Sequence, residues 1–215
     1  KGDLLLININ KNSIIKKFTL DNKHLSYPYT NEFLGKKYIY PDSGSLKIPI
    51  FYSGRNPKFF KKSFMNNFKT GLTDPSVIEH NGLYYLFANI PNEQYILRLW
   101  FASNPEFSDP REHPNSPICI SPEGGRSGGR IFKFKNNLYR YGQQCSSDYG
   151  NGLLLFRIET LSESNFFEKK ISTFKFNEPL KGPHNIDFSD NLLTWDYYTE
   201  RFNLFAGFNR IMEKF

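Results

Sequence analysis

The feature that most constrains this chain is a hairpin signal that returns four times. Each return has a short apolar strand, a tight polar turn, and a second strand opening on an aromatic residue or Leu. The segments begin at Asn31, Val77, Ile131 and Ile186, with turns read at Gly35-Lys36, Asn81-Gly82, Asn136-Asn137 and Asp190-Asn191. Glycine, and Asn or Asp tolerating positive φ, are what two-residue hairpin turns demand. Tyr38, Tyr84, Tyr139 and Leu193 then recur at intervals of 46, 55 and 54 residues. A further apolar strand follows each hairpin, at 46–52, 95–102, 152–158 and 202–208. A period near ~50 residues with three or four strands per unit predicts an all-β chain of propeller type. Four blades are visible, and strand 4–10 is expected in a fifth, closed by strands from the far end of the chain. A β-sandwich of regular hairpins is the rival architecture.

Composition supports many strands: 22 Phe and 13 Tyr accompany plentiful Gly and Pro, and no long helix-forming stretch interrupts them. Residues 1–215 are read as a single domain, a length that suits one all-β core. The chain opens on Lys1-Gly2-Asp3 without an initiator Met or a signal peptide, which suits a fragment of a longer protein. Cys119 and Cys145 make no disulfide framework, so a reducing, cytoplasmic setting is expected. No apolar run approaches the ~18 residues of a membrane span. The net charge of +7 raises the question of an anionic partner. Its lysines are spread along the chain, in mere pairs such as Lys16-Lys17, Lys61-Lys62 and Lys169-Lys170, which read as solvated surface, with a phosphate or acidic glycan as the alternative partner. No nucleic-acid-binding motif supports a nucleic-acid partner.

In a propeller the residues just before each inner strand converge on the axis. Here those are the segments from Tyr27, Thr73, Arg126 and Gly182, and they are more polar than the strands they lead into. Asp74, fixed by Pro75, is a candidate base, nucleophile or sugar-hydroxyl acceptor; a turn-capping Asp before Pro is the plainer alternative. Glu123, before a glycine run read as a mobile loop, is the candidate proton donor. His184 can orient a substrate or carry a proton, or serve only structure. Asp42 and Asp196 end the second strands of the first and fourth repeats, as substrate contacts or exposed turn carboxylates. Arg126, Arg130 and Arg140 offer planar donors to carboxylate or phosphate. Gln143 and Tyr149 suit sugar hydroxyls and stacking, against the alternative of strand packing. Gly125–Gly129 contains G-x-S-x-G, but a strand follows it rather than a helix, so Ser127 is no nucleophile. No cofactor motif or metal-ligand spacing is present.

At these residues the chain resembles a known family. Thr73-Asp-Pro-Ser76, Gly82-Leu-Tyr-Tyr-Leu-Phe87 and Leu97-Arg-Leu-Trp-Phe-Ala-Ser103 look like the first complete blade of five-bladed arabinanase- and invertase-type glycosidases. From about Pro28 to Asp196 the chain more closely resembles the N-terminal domain of glucosamine inositolphosphorylceramide transferases. That domain also occurs in bacterial surface-polysaccharide biosynthesis proteins. The carrying residues are Pro41-Asp42, Asp74-Pro75, His113-Pro114, Arg126 with Gly129, Arg140-Tyr-Gly-Gln143, Tyr149-Gly150 and Gly182 with His184. The resemblance implies a five-bladed propeller and a glycan or sugar-phosphate ligand. It also implies a separate catalytic domain or partner enzyme. Two functions follow: glycosyl hydrolysis or transfer by paired carboxylates, or a non-catalytic glycan-binding module serving a biosynthetic partner. The glycosidases use three axial carboxylates, and only Asp74 transfers onto their pattern.

Overall fold

The computed structural model describes residues 2–20, 23–189 and 192–199. A first hairpin joins β1 (Leu4–Asn8) to β2 (Ser13–Phe18). Sheet 1 follows, built in order from β3 (Ser26–Phe33), β4 (Lys36–Asp42), β5 (Ile50–Gly54) and β6 (Lys61–Phe64). A 3₁₀ turn, Pro57–Phe59, links its last two strands. Sheet 2 runs outward from β7 (Thr73–His80) through β8 (Leu83–Asn89) to β9 (Ile96–Ala102). The short β10 (Arg111–Glu112) and β11 (Cys119–Ile120) both pair with β9. In sheet 3, β12 (Glu123–Ser127) and β13 (Phe132–Phe134) both pair with β14 (Asn137–Gln144), followed by β15 (Leu153–Leu161) and β16 (Phe166–Phe174). Sheet 4 is the pair β17 (Ile186–Ser189) and β18 (Leu192–Trp195). All named strand pairings are antiparallel, and no α-helix occurs among the described residues. No described helix is long and apolar enough to cross a membrane.

Strand periodicity explains how the sheets stack. Successive side chains of a strand point to opposite faces. On β8, Tyr84, Leu86 and Ala88 pack with Tyr29, Phe33, Tyr38 and Tyr40 of sheet 1. The intervening Tyr85 and Phe87 pack with Ile131, Leu138, Ile158 and Leu161 of the sheet 3 segment. Sheet 2 is therefore buried on both faces, as its continuous run Tyr84-Tyr-Leu-Phe-Ala88 requires. Sheet 1 repeats the device, with Ile39, Ile50 and Tyr52 packing on Leu4 and Phe18 of the first hairpin. A two-layer sandwich has a single inter-sheet core; here three cores separate successive layers. The rival sandwich is thereby set aside.

The hairpins fold where the sequence places them, with local corrections. Asn81 and Gly82 both take positive φ between His80 and Leu83, as a mirror-image turn needs. The first and third turns fall one residue early, at Leu34-Gly35 and Lys135-Asn136, all four residues at positive φ. The strand expected at 46–52 is displaced to Ile50–Gly54, and 4–10 shortens to Leu4–Asn8. That first strand pairs with β2 beside it, and the far-end strands expected to close its blade lie outside the described residues. The Asp190-Asn191 turn and the strand expected at 202–208 lie outside the described residues.

Arg140, a candidate ligand contact, is instead part of a sheet interior. Strand alternation turns it away from Tyr139 and Tyr141, whose rings stack on Phe132. Its guanidinium lies 4.2 Å from the Phe156 ring centroid and pairs with both carboxylate oxygens of Glu168 on β16. It also donates to the Gly124 carbonyl at 2.9 Å. The Arg140 and Glu168 side chains are only 2% and 10% exposed. Removing one member of such a pair strands the other charge in the interior. Arg140→Met should therefore cost roughly 3–5 kcal/mol, and Arg140→Met with Glu168→Leu should recover most of that in urea denaturation. Equal losses in the single and double variants would reject this account.

Candidate functional site

The first ends of β3, β7 and β17, and the residues around the end of β12, open on one cavity of about 440 Å³. Two of these strands enter it through the same distortion. Ser26↔Asp42 and Tyr29↔Tyr40 bracket a bulge in β3, and Thr73↔Asn89 and Ser76↔Phe87 bracket one in β7. The bulged residues, Tyr27 and Asp74, each precede a proline and take φ of 46° and 48°. Left-handed backbone at a non-glycine residue costs on the order of 1–3 kcal/mol, and the surrounding contacts hold it. A β-bulge re-aims a side chain, and here both residues line the cavity.

Four carboxylates share the wall with two arginines and a histidine. Asp74 is buried and receives Arg126 Nε at 2.5 Å. Arg130 grips Asp187 through Nε at 2.6 Å and a terminal nitrogen at 3.2 Å. His184 Nδ1 faces Asp196 Oδ2 in a third pair, and Asp196 Oδ1 accepts the backbone N–H groups of His184 at 2.9 Å and Asn185 at 2.8 Å. Asp42 has no ion-pair partner among the described residues; its Oδ1 accepts the Gly44 N–H at 2.9 Å. Neither arginine is left without a carboxylate, so the four Asp side chains outnumber the two guanidinium groups they face. An excess of carboxylates does not favour the anionic ligand that the arginines alone suggest.

Burial pushes the Asp42 carboxyl above its ordinary range, against the pull of the Gly44 N–H and Arg126. Burial also raises Asp74, opposed by Arg126 and reinforced by the charge on Asp42. Burial works the same way on Asp196, but the His184 ring and the two backbone N–H groups outweigh it and hold that carboxyl low. Burial lifts the Tyr29 hydroxyl to about 12, and lifts that of Tyr27 further.

Aromatic rings supply the apolar part. Tyr149 and Trp195 line the cavity while remaining 47% and 51% exposed. The Arg126 guanidinium lies 5.2 Å from the Tyr149 ring centroid, and the His184 ring 5.5 Å from it. Gly150, at φ 58°, lets this loop close on the fourth sheet, because a Cβ there would collide with the His184 side chain. Gln143 donates to the Ser127 carbonyl at 2.9 Å and lines the same space.

Eight of the residues picked from the sequence thus meet in one cavity: Asp42, Asp74, Arg126, Arg130, Gln143, Tyr149, His184 and Asp196. Arg140 and Glu123 do not line it. Glu123 opens β12, a strand rather than a mobile loop, and its exposed carboxylate lies 3.7 Å from Lys170. It cannot serve this cavity as the proton donor from that place. Asp187, Tyr27, Tyr29 and Trp195 were not singled out by residue-level reasoning. Asp187 carried a signal, a lone carboxylate between the apolar Ile186 and Phe188 of an inner strand.

Residues 15–189 match the family described as Glucosamine inositolphosphorylceramide transferase 1, N-terminal. Among full-length relatives, Glucosamine inositolphosphorylceramide transferase 1 of Oryza sativa subsp. japonica is 32% identical over 161 residues, covering 69% of this chain and 21% of that protein. The Arabidopsis thaliana protein of the same name is 29% identical over 171 residues, covering 75% and 22%. The chain thus spans about a fifth of the curated relatives it matches. Among solved structures, an α-L-arabinofuranosidase from Clostridium thermocellum superposes with a TM-score of 0.54 at 12% identity, over 82% of this chain and 64% of that one. An α-L-arabinanase from Cellvibrio cellulosa, solved with arabinohexaose, gives 0.52 at 14%, over 79% and 62%. At these identities the likeness is one of fold alone.

The raised Asp42 carboxyl sets a sign for stability. A carboxyl whose folded pKa lies above its unfolded value stabilises the fold below the unfolded pKa, and that benefit is lost as pH rises through the folded one. Asp42→Asn keeps the acceptor for Gly44 and removes the charge. It should raise the melting temperature at pH 7 by about 2–4 °C, the shift that ~1 kcal/mol gives a chain of this length. The gain should vanish near pH 3. A variant less stable than the parent at pH 7 would contradict the assignment.

Proposed function

The chain belongs to the family of the N-terminal domain of glucosamine inositolphosphorylceramide transferase 1, and from that premise we propose that it is a glycan-recognition domain. In this reading sheets 1 to 4 are successive blades of a five-bladed propeller, and the cavity at their inner strand ends seats a sugar. The ligand is a neutral glycan segment, held by carboxylates and Gln143 accepting and donating hydroxyl hydrogen bonds while Tyr149 and Trp195 stack on its apolar face. The observation that carries it is the joining of two half-exposed rings to a ring of fixed polar groups in one concave site. Its partner would be the glycan-processing remainder of a longer protein, or a separate enzyme. Cys119 and Cys145 are free thiols, which suits a reducing compartment such as the cytoplasm.

Binding is favoured over catalysis because two of the four carboxylates are tied to an arginine and a third to the His184 ring. A second reading rests on Asp42 and Asp74, neighbours with unlike surroundings: one ion-paired, the other not. Groups whose environments differ in this way can divide the roles of acid and base. Asp42 would then protonate the leaving oxygen, while Asp74 would activate water or attack carbon.

Titration of neutral and charged oligosaccharides by calorimetry, with product analysis of the same mixtures, separates the two readings. Tyr149→Ala and Trp195→Ala should each weaken binding about tenfold, the ~1.4 kcal/mol that a lost ring contact can supply, with unchanged melting curves. No new reducing ends should form. Turnover that is abolished by Asp74→Asn or Asp42→Asn would establish the catalytic reading instead. Glycan binding indifferent to both ring variants would dismiss this cavity as the site.

A further inference from the structure

We propose that β2, the Pro57–Phe59 turn and β6 together form a docking surface for an anionic lipid bilayer. Two segments of the chain, residues 4–18 and 55–69, contain eight Lys and Arg residues and no Asp or Glu. Since the whole chain carries a net +7, these two segments account for all of its excess charge. The fold brings them together. Lys16 Nζ donates to the backbone carbonyls of Lys58 at 3.0 Å and Phe60 at 3.1 Å. Beneath that contact the Phe18 ring packs 6.4 Å from the Phe60 ring, within the core shared by the first hairpin and sheet 1. Lysine pairs 45 residues apart in sequence therefore belong to one surface region.

Among these cations Lys17 pairs with Asp3 at 2.9 Å. Arg55, Lys58, Lys61 and Lys62 are exposed, and none forms an ion pair with a described residue. Apolar groups stand among them. Phe59 is 74% exposed at the tip of the 3₁₀ turn, Phe64 is 50% exposed on β6, and Ile14 is 63% exposed on β2. Lys62 Nζ lies 5.4 Å from the Phe64 ring centroid, with the cation above the ring. Lysines on an edge strand also discourage edge pairing. That role accounts for Lys61 and Lys62 but not for a phenylalanine presented to solvent beside them.

Cations interleaved with exposed rings match an anionic bilayer on two counts. Each lysine near such a surface contributes electrostatic attraction, and an apolar side chain entering the headgroup boundary adds hydrophobic burial. A soluble polyanion would use the first count alone. The surface is separate from the glycan cavity, because β6 is the outer strand of sheet 1 and the cavity lies at the start of its innermost strand, β3. Docking by this edge would leave the cavity open.

The test is co-sedimentation of the 215-residue chain with vesicles of phosphatidylcholine, alone and mixed with phosphatidylserine. The expected result is binding to the mixed vesicles only, lost when salt rises from about 0.1 M to about 1 M as screening shortens. Lys58→Gln/Lys61→Gln/Lys62→Gln should weaken it at least about tenfold, and Phe59→Ser should weaken it about tenfold at unchanged charge. Equal pelleting with both vesicle types, or none with either, would overturn the proposal. So would heparin or oligonucleotide binding of equal strength that ignores Phe59→Ser, which would mark a soluble-polyanion site. The salt series on the parent chain stands whether or not a variant folds.

Discussion

Everything near the cavity depends on how closely four inner strands can approach one another at Gly128 and Gly129. The Gly129 carbonyl accepts the Tyr27 hydroxyl of sheet 1 and the Ser76 hydroxyl of sheet 2, both at 3.1 Å. The Gly128 carbonyl, just past β12 of sheet 3, accepts the Ile186 N–H of sheet 4 at 3.0 Å, and Gly129 forms a parallel bridge with Ile186. Four sheets are thereby tied at two consecutive residues. Gly129 takes φ 143°, and a Cβ there would collide with the Ile186 carbonyl. Only glycine permits both the conformation and the approach.

From that junction the polar wall of the cavity follows in order. Tyr27 and Asp74 are swung inward by equivalent bulges, each ahead of a proline. Arg126 and Arg130 leave the glycine-rich segment on either side of the junction and meet Asp74 on one sheet and Asp187 on another. Each ion pair therefore bridges two sheets while also shaping the cavity. Strain in two backbones and burial of several charges are borne at one place, a pattern expected where a site opposes the interests of the fold. The distant edge of sheet 1 has no such burden, and Lys61 and Lys62 there form no ion pair with a described residue.

Much of this was legible in the sequence because a repeat converts position into place. Asp42 and Asp196 close the second strands of equivalent hairpins, and Asp74 and His184 precede the first. Once the period is recognised, their convergence follows without any knowledge of contacts. What the repeat could not supply was parity. Arg140 is one residue out of step with Tyr139 and Tyr141, which sends it into the sheet interior toward Glu168, a partner 28 residues away. Glu123 reads as a loop residue in the sequence because glycines disfavour strands in isolation; in the fold Gly124 and Gly125 sit in a strand where a Cβ would strike Phe156 and Tyr95. Lysine pairs looked scattered because pairing of the first hairpin with sheet 1 is a tertiary event with no local signal.

The central claim is that the inner strand ends, and not another surface, receive a glycan. The chain contains two tryptophans, Trp195 on the cavity and Trp100 packed beside the core between sheets 1 and 2. Their indole N–H resonances in a nitrogen-15 correlation spectrum report directly on the two places. Titration with a bound oligosaccharide should move the Trp195 indole signal in a saturable way and leave that of Trp100 in place. An unmoved Trp195 signal at saturating glycan, or a shift confined to Trp100, would contradict the account.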